Sequence, residues 1–192
     1  MIENWDYNEK NALEIWDIYD KDKTKVGYTK HRSEKLNDFE YHLVVRVWIV
    51  NSDKEILLSQ RGMKKRGPLL WECTAGSAIS GENNIDTINR EVFEELGIDL
   101  SHDKGICMLD VRRDSHHDFY EVWLYRKDID LSDIVIDGEE VINVKWVKID
   151  ELLQMMKENQ LMPTLSNFPD LYRKYVQKDL EDEMMGTGIE SL

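Results

Sequence analysis

Apolar residues alternate with polar ones, or run together in short stretches, along most of the chain, and both patterns are typical of β-strands. The most apolar stretch, residues 41–50, is rich in β-branched residues and therefore predicts a strand covered on both faces. Further strands are predicted at residues 14–20, 26–31, 55–61, 69–75, 105–113, 118–127 and 141–147. A polar segment at residues 115–117 predicts that the two strands around it form a hairpin.

A different period begins at residue 83 and predicts an amphipathic helix over residues 83–96. Its apolar residues recur at every third or fourth position and form one stripe: Ile85, Ile88, Val92 and Leu96. Asn83 or Asn84 can cap the start of this helix, and Gly97 suits the left-handed conformation that ends it. Two more helices are predicted, at residues 150–159 behind Asp150 as a cap, and at residues 171–177.

The order of these elements predicts a single α/β domain. No internal repeat, low-complexity tract or Gly/Ser/Pro-rich linker divides the sequence. Residues 1–178 are therefore interpreted as one domain, with the strands inside residues 1–35 as an N-terminal extension. The acidic and then glycine-containing segment 179–192 is predicted to be a mobile tail.

Composition narrows the class of protein. The 192 residues include 25 Lys and Arg against 39 Asp and Glu, which gives a formal net charge of −14 and argues against a nucleic-acid binder. No apolar run reaches the ~20 residues that a membrane helix needs, and residues 1–6 lack the features of a secretory signal. Two cysteines, Cys73 and Cys107, form no disulfide framework. We therefore expect a cytoplasmic protein that binds neither nucleic acid nor a membrane.

Three glutamates mark one face of the 83–96 helix. Glu91, Glu94 and Glu95 stand at i, i+3 and i+4, so their carboxylates lie together and repel one another. Hard divalent cations bind several oxygen ligands, and the loop at residues 76–81 can add a backbone carbonyl. The three glutamates alone fit a solvated acidic surface as well as they fit a cation site. The spacing of the residues around them must therefore distinguish the two.

That wider spacing resembles the Nudix box, Gly-x5-Glu-x7-Arg-Glu-U-x-Glu-Glu-x-Gly-U, in which U is apolar. Each of its positions is met, with Val92 and Ile98 as the apolar pair and with the fixed identities Gly76, Glu82, Arg90, Glu91, Glu94, Glu95 and Gly97. The match begins after a predicted strand and runs through a predicted helix. So many fixed identities make it far more specific than a short glycine motif.

The resemblance implies an α/β/α sandwich with a mixed central sheet, and hydrolysis of a nucleoside diphosphate linked to another moiety with Mg²⁺ or Mn²⁺. Carried over to this sequence, the three glutamates resemble the metal-binding and catalytic carboxylates, and any of them can instead be the base. The Gly76 carbonyl resembles a further ligand. Glu82 and Arg90 resemble a pair that fixes the loop to the helix, which Gly97 ends.

Residues outside the box can complete the site. Glu140, just before the last strand, is favoured over Glu121 as the general base. The basic stretch of Arg61, Lys64 and Lys65 can hold the phosphates of a small-molecule diphosphate substrate, although a surface charge run is often only solvated. The substrates left open are nucleoside triphosphates, nucleotide sugars, ADP-ribose, dinucleoside polyphosphates and prenyl diphosphates.

Two other functions compete with hydrolysis. Over most of its length, the chain also resembles, more weakly, a subgroup related to isopentenyl-diphosphate isomerase. That enzyme, however, has its proton-transfer cysteine where this chain has Ala75. Cys73 lies two residues too early, and His42 is interpreted as a hydrogen-bonded core residue. The fold also serves as a ligand sensor, which can lose the glutamates that this chain retains. A homodimer through the N-terminal strands is also possible.

Overall fold

The computed structural model describes residues 13–177, so the predicted acidic tail at 179–192 lies outside the described residues. The strands are β1 (Ile15–Tyr19), β2 (Lys25–His31), β3 (His42–Val50), β4 (Ile56–Arg61), β5 (Trp71–Glu72), β6 (Ala75–Ser77), β7 (Ile106–Arg113), β8 (Asp118–Arg126) and β9 (Val141–Val147). The α-helices are α1 (Asn84–Leu96), α2 (Ile149–Lys157) and α3 (Phe168–Tyr172), which continues into a π-helical turn at Arg173–Gln177. Short 3₁₀ turns lie at Leu131–Asp133 and Pro163–Leu165.

A seven-stranded mixed sheet forms the centre of the fold. Its main path is β5-β4-β3-β8-β7, with β6 pairing with β3 and β9 pairing with β4. Strands β3 and β8 run parallel from His42 opposite Asp118 to Val50 opposite Arg126, while the other pairs are antiparallel. Both central strands are buried along almost their whole length, as the apolar sequence of β3 predicts. The predicted mixed sheet is confirmed.

Helices cover both faces of this sheet. On one face, three residues of the predicted stripe of α1 pack on β3, with Ile88 and Val92 against Val45 and Val47. The fourth, Ile85 in the first turn of α1, is exposed, so the prediction is wrong for that residue. On the other face, α2 and α3 cover the intervening residues of β3, and the rings of Trp48 and Phe168 stack 3.9 Å apart. The two apolar clusters are separated by the sheet, which gives the predicted α/β/α layers.

Three predicted elements differ from the observed ones. The helix predicted at residues 171–177 begins earlier, at Phe168, and from Arg173 onward it is π-helical. The extended segment 69–75 is divided, because the chain pairs first with β4 through Trp71–Glu72 and then with β3 through Ala75–Ser77. Asp150 lies inside the first turn of α2 and does not cap it. Lys148 occupies the capping position without a side-chain hydrogen bond, since the helix starts directly where β9 ends.

The hairpin of β1 and β2 forms a separate two-stranded sheet that packs on the start of β3. Tyr19 pairs with Tyr41 through the backbone, and the ring of Trp16 stacks on that of His42 at 3.8 Å. His42 is buried as predicted, but its Nδ1 has no hydrogen-bond partner, so the prediction of a hydrogen-bonded histidine is wrong for that atom. Among residues 13–177, no helix is both long and apolar enough to cross a bilayer.

Candidate active site

The helix α1 is fixed at both ends by its own sequence. The side chain of Asn83 accepts hydrogen bonds from the backbone N–H groups of Ile85 (2.8 Å) and Asp86 (3.1 Å), and the Asp86 carboxylate accepts from the Asn83 N–H (3.2 Å). Gly97 adopts the left-handed conformation, with φ of 67°, and ends the helix. These two caps fix which residues of α1 face the loop before it.

Gly76 of β6 lies directly against the carboxylate of Glu91. A Cβ atom at position 76 would stand 1.9 Å from both Cδ and Oε1 of Glu91, so only glycine leaves room for this side chain. The guanidinium of Arg90 donates from Nη1 to Glu91 Oε1 at 2.8 Å. The backbone of β6 and the first of the three glutamates are therefore in contact.

Arg90 ties the loop after β6 to α1. Its Nε donates to Glu82 Oε1 at 2.7 Å, and its Nη2 donates to Glu82 Oε2 at 3.1 Å and to the carbonyl of Ser77 at 3.0 Å. Glu82 Oε2 also accepts from the Thr87 hydroxyl (2.9 Å) and from the Ile79 N–H (3.2 Å). The ion pair expected from the box is present, and it connects both ends of the loop to the helix.

Lys65 brings two distant carboxylates together. Its ammonium nitrogen lies 3.0 Å from Glu95 Oε1 on α1 and 2.9 Å from Glu140 Oε2, just before β9. Burial by itself would lower the pKa of Lys65, but the charges and hydrogen bonds of Glu95 and Glu140 raise it above its ordinary value. Three residues thus form one cluster: Lys65, predicted as a phosphate binder, Glu95, predicted as a metal ligand, and Glu140, predicted as the base.

Two of the three glutamates on α1 are held in an environment that disfavours their charge. Burial raises the pKa of Glu91 to about 8; Arg90 opposes this shift, and the charges of Glu95 and Glu94 add to it. Burial also raises the pKa of Glu95, with Lys65 opposing. Glu94 is more exposed and lies 3.5 Å from Arg90 Nη1. An additional positive charge here would favour all three ionised forms.

Within the described part of the chain, no three His, Cys, Asp or Glu side chains converge into a ready-made metal site. The glutamates contact Arg90 and Lys65 instead. The donor set nevertheless fits a hard divalent cation, because it offers carboxylate oxygens on one helix face, and one of these carboxylates lies directly against the backbone of Gly76.

The position of Glu140 depends on residues that the sequence analysis did not single out. Asp137 Oδ1 accepts hydrogen bonds from the N–H groups of Glu139 (3.1 Å), Glu140 (2.9 Å) and Val141 (3.0 Å). A Cβ at Gly62 would meet the Glu139 carbonyl at 1.7 Å, so this glycine lets the basic loop approach the turn. The dipeptide Asp137-Gly138 is a turn signal that indicated this bend.

The other residues of the basic stretch contact carboxylates. Arg61 pairs through Nη1 with Glu72 and donates through Nε to the carbonyl of Arg66 at 2.6 Å. Lys64 is exposed and lies 3.6 Å from Glu139. Glu72 is buried and also lies 3.7 Å from Arg46, whose position within the apolar run of β3 was the available signal for a buried ion pair.

Glu121, the alternative base, is buried, and both of its oxygens accept hydrogen bonds. Oε1 accepts from Lys23 at 2.7 Å, and Oε2 accepts from Asn84 at 3.0 Å and from Trp123 Nε1 at 2.6 Å. Glu140 contacts the box through Lys65, whereas Glu121 contacts only the first residue of α1. Of the two, Glu140 is the one that shares a lysine with a glutamate of α1.

Comparison with known proteins agrees with the box. Residues 40–168 match the NUDIX domain family. An uncharacterized Nudix hydrolase of Listeria monocytogenes, lmo0368, is 35% identical over 158 residues, which are 79% of this chain and 89% of that protein.

Solved structures share the fold. DR0079 from Deinococcus radiodurans superposes with a TM-score of 0.69 at 19% identity, over 84% of this chain and 99% of that one. A bifunctional NMN adenylyltransferase/ADP ribose pyrophosphatase from Francisella tularensis, complexed with AMP and a Mn ion, gives 0.52 at 21% identity, over 70% and 41% of the two chains. At such identities the likeness concerns the fold.

Proposed function

This chain belongs to the Nudix family of hydrolases, which cleave pyrophosphate bonds in nucleoside diphosphate derivatives, and we propose that it does so with Mg²⁺ or Mn²⁺ bound at α1. The substrate is a nucleoside diphosphate linked to another group, or a related organic pyrophosphate. The observation that carries the proposal is the contact between the Gly76 backbone and Glu91, beside Glu95 on the same helix. It gathers oxygen donors of the kind that a phosphate-bound cation requires.

Each group of the cluster has a role in this proposal. Glu91, Glu94, Glu95 and the Gly76 carbonyl hold the cation. When bound, it neutralises phosphate oxygens and lowers the pKa of a coordinated water. Arg90 holds the loop against the helix that carries these glutamates, through its hydrogen bonds to Glu82 and to the carbonyl of Ser77.

Glu140 is the residue we propose to accept the proton of the attacking water. It is half-buried, and its backbone is held by Asp137, so its carboxylate stays close to Glu95 on the opposite side of Lys65. A positioned carboxylate of this kind contributes typically 10²–10⁴-fold to the rate. One of the α1 glutamates remains the alternative base.

Lys65 provides positive charge beside the cation site. Its ammonium group is held by Glu95 and Glu140, and it can contact a substrate phosphate by exchanging one of these carboxylates for a phosphate oxygen. Arg61, the last residue of β4, and Lys64, on the same loop as Lys65, complete the proposed phosphate contacts. In an acidic protein of net charge −14, phosphate binding then depends on the cation.

The ADP-ribose pyrophosphatase of the same fold, with its AMP and Mn ion, makes nucleotide sugars and ADP-ribose the first compounds to test. A reducing cytoplasm is the proposed location, since Cys73 and Cys107 are both free thiols. The proposed binding partner is the small-molecule substrate itself.

A substrate screen tests the proposal. The purified chain is incubated with Mg²⁺ or Mn²⁺ and each compound class, and released phosphate, pyrophosphate or nucleoside monophosphate is measured with and without EDTA. We expect hydrolysis of at least one class, loss of turnover in EDTA, and weaker substrate binding without the cation. Equal substrate affinity with and without EDTA would contradict the cation dependence.

A matched pair of variants assigns that activity to the site. Glu94→Gln removes an exposed carboxylate of the box, and we expect it to abolish turnover in a protein that stays folded, because one proposed cation ligand is lost. Glu151→Gln is the control, because Glu151 is a similarly exposed helix glutamate (51% against 44%) that also contacts a cation, Lys145. If wild type and Glu94→Gln both leave every compound intact, the result favours a ligand sensor over a hydrolase. Interconversion of isopentenyl diphosphate isomers would show an isomerase.

A further inference from the structure

The hairpin of β1 and β2 precedes the segment that matches the Nudix family, and it contacts the loop between β6 and α1. The carbonyl of Ile15 accepts from the Ser80 N–H at 2.7 Å. Asp17 Oδ1 accepts from the Ser80 hydroxyl at 2.8 Å, and Oδ2 accepts from the Gly81 N–H at 3.0 Å. One aspartate of the hairpin therefore uses both oxygens to hold two consecutive residues of the loop.

Lys25 of β2 strengthens this contact. Its ammonium nitrogen lies 2.6 Å from Asp17 Oδ2 and 3.4 Å from the carbonyl oxygen of Glu82. The Asp17 carboxylate is thus kept charged by a neighbouring lysine while it accepts from the loop. A charged acceptor makes stronger hydrogen bonds than a neutral one, which suits a contact between two separate sheets.

The same loop is held on its inner side by the box itself. Arg90 binds the carbonyl of Ser77 and the carboxylate of Glu82, so it fixes both ends of the loop to α1. Asp17 fixes the middle of the loop, at Ser80 and Gly81, from the outer side. The segment that follows the Gly76 carbonyl is therefore held from two directions.

We propose that Asp17 is a positioning residue for the divalent cation, acting through Ser80 and Gly81 on the loop that connects Gly76 to α1. This inference rests on the proposed function, because Gly76, from which the chain leads into this loop, is a ligand only if a cation binds there. Outer groups that orient metal ligands typically change metal affinity 10- to 100-fold when they are removed. Asp17 contacts no ligand itself, so it is not a catalytic residue.

The chain offers a matched control in an acid that contacts the same hairpin. Glu40 is a comparably buried acid (11% side-chain exposure against 18% for Asp17), and it also pairs with a lysine of β2, Lys30. It accepts from the Asn37 N–H at 2.6 Å and from the Tyr28 hydroxyl at 2.8 Å, and none of these contacts reaches the loop. Glu40→Gln therefore perturbs the hairpin without touching the loop.

The experiment compares wild type, Asp17→Asn and Glu40→Gln in the full chain. An asparagine at position 17 keeps one acceptor oxygen and turns an amide donor toward groups that are donors themselves. Hydrogen exchange of the amides of residues 79–82 reports the loop, and electron paramagnetic resonance titration with Mn²⁺ reports the cation. We expect Asp17→Asn to accelerate exchange in the loop and to weaken Mn²⁺ binding roughly 10-fold, with kcat restored at saturating Mn²⁺. Glu40→Gln should change neither.

Equal Mn²⁺ affinity in wild type and Asp17→Asn would overturn the inference. An equal loss of Mn²⁺ affinity in Asp17→Asn and Glu40→Gln would also overturn it, because a general loosening of the hairpin would then be the cause. If Asp17→Asn does not fold, Ser80→Ala removes only the hydroxyl contact and should weaken Mn²⁺ binding in the same direction. A wild type that binds no Mn²⁺ overturns the proposed function and the inference together. A wild type that binds Mn²⁺ and hydrolyses substrate, beside an unaffected Asp17→Asn, overturns the inference alone.

Discussion

At the scale of single residues, Gly76 and Lys65 determine which groups the carboxylates of the site contact. Gly76 leaves the space that the Glu91 carboxylate fills, and Lys65 supplies a positive charge between Glu95 and Glu140. Neither contact involves sequence neighbours, since Lys65 and Glu95 lie 30 residues apart. The sequence marks both residues, but only the fold shows which carboxylates they contact.

Gly76→Ala tests this at the residue scale. The new methyl group would overlap Cδ and Oε1 of Glu91, which lie 1.9 Å from the Cβ position, so the flexible glutamate must turn away. We expect stability to fall by about 1–3 kcal/mol, as in other overpacked sites, and Mn²⁺ binding and hydrolysis to be lost. Urea denaturation and a Mn²⁺ titration measure the two effects.

Gly105→Ala is the control for that variant, because its Cβ would meet the ring of Tyr125 at 2.5 Å, with no contact to a box residue. It should lower stability and leave Mn²⁺ affinity unchanged. If Gly76→Ala keeps its Mn²⁺ affinity, the contact between Gly76 and Glu91 does not govern the cation site.

At the scale of elements, the two longer helices start in different ways. Helix α1 has a complete capping box at Asn83 and Asp86, whereas α2 begins at Lys148 without a side-chain cap. The better-capped helix is the one that carries the glutamates. Strong caps fix the register of α1, and its i, i+3 and i+4 positions then define one face.

Lys148→Ser tests the uncapped end. Lys148 has extended backbone angles (φ −76°, ψ 157°), which a capping serine also adopts, and its side chain is exposed. A serine hydroxyl there can accept from the free N–H groups of the first turn, so we expect the free energy of unfolding to rise by roughly 1 kcal/mol. Urea denaturation measures it, with Lys148→Ala as the control for loss of the lysine alone. An equal change in both variants would show that the serine forms no cap.

At the scale of the whole molecule, a two-stranded sheet packs on a seven-stranded one, and the contact includes a stack of Trp16 on His42. Burial lowers the pKa of His42 to about 4, and the charge of Asp118 opposes this shift. An imidazole that is kept neutral in the folded protein makes the docking of the hairpin sensitive to acid.

The sign of this effect follows from the two pKa values. An unfolded histidine takes up its proton near pH 6.5, whereas His42 in the folded protein does so only near pH 4. The contribution to stability is therefore complete above pH 6.5 and is lost as the pH falls toward 4. Between pH 7 and pH 4.5 we expect wild type to lose on the order of 2 kcal/mol more than His42→Phe, which keeps a ring for stacking. Urea denaturation at both pH values measures the difference, and parallel losses would refute it.

Much of the fold was predictable from the sequence, because local spacing sets local structure. The apolar stripe of α1, with Ile88, Val92 and Leu96, and the caps of this helix are properties of one continuous segment. The α/β/α layers follow from β3 being apolar on both faces. The place where residues 69–75 change partner was not predictable, because it depends on which strand lies alongside. The cap of α2 was predicted wrongly because a nearby aspartate looked suitable.

The sequence by itself determined the family motif, the helix that bears it and the face on which its glutamates lie, because all three depend on spacings within 23 residues. Only the tertiary structure decided that Lys65 lies between Glu95 and Glu140 and that Asp17 holds the loop beside this site. Those contacts join residues 30 to 75 positions apart, from Lys65 with Glu95 to Lys65 with Glu140, and they depend on how loops pack on the finished sheet. No periodicity along the chain encodes that packing.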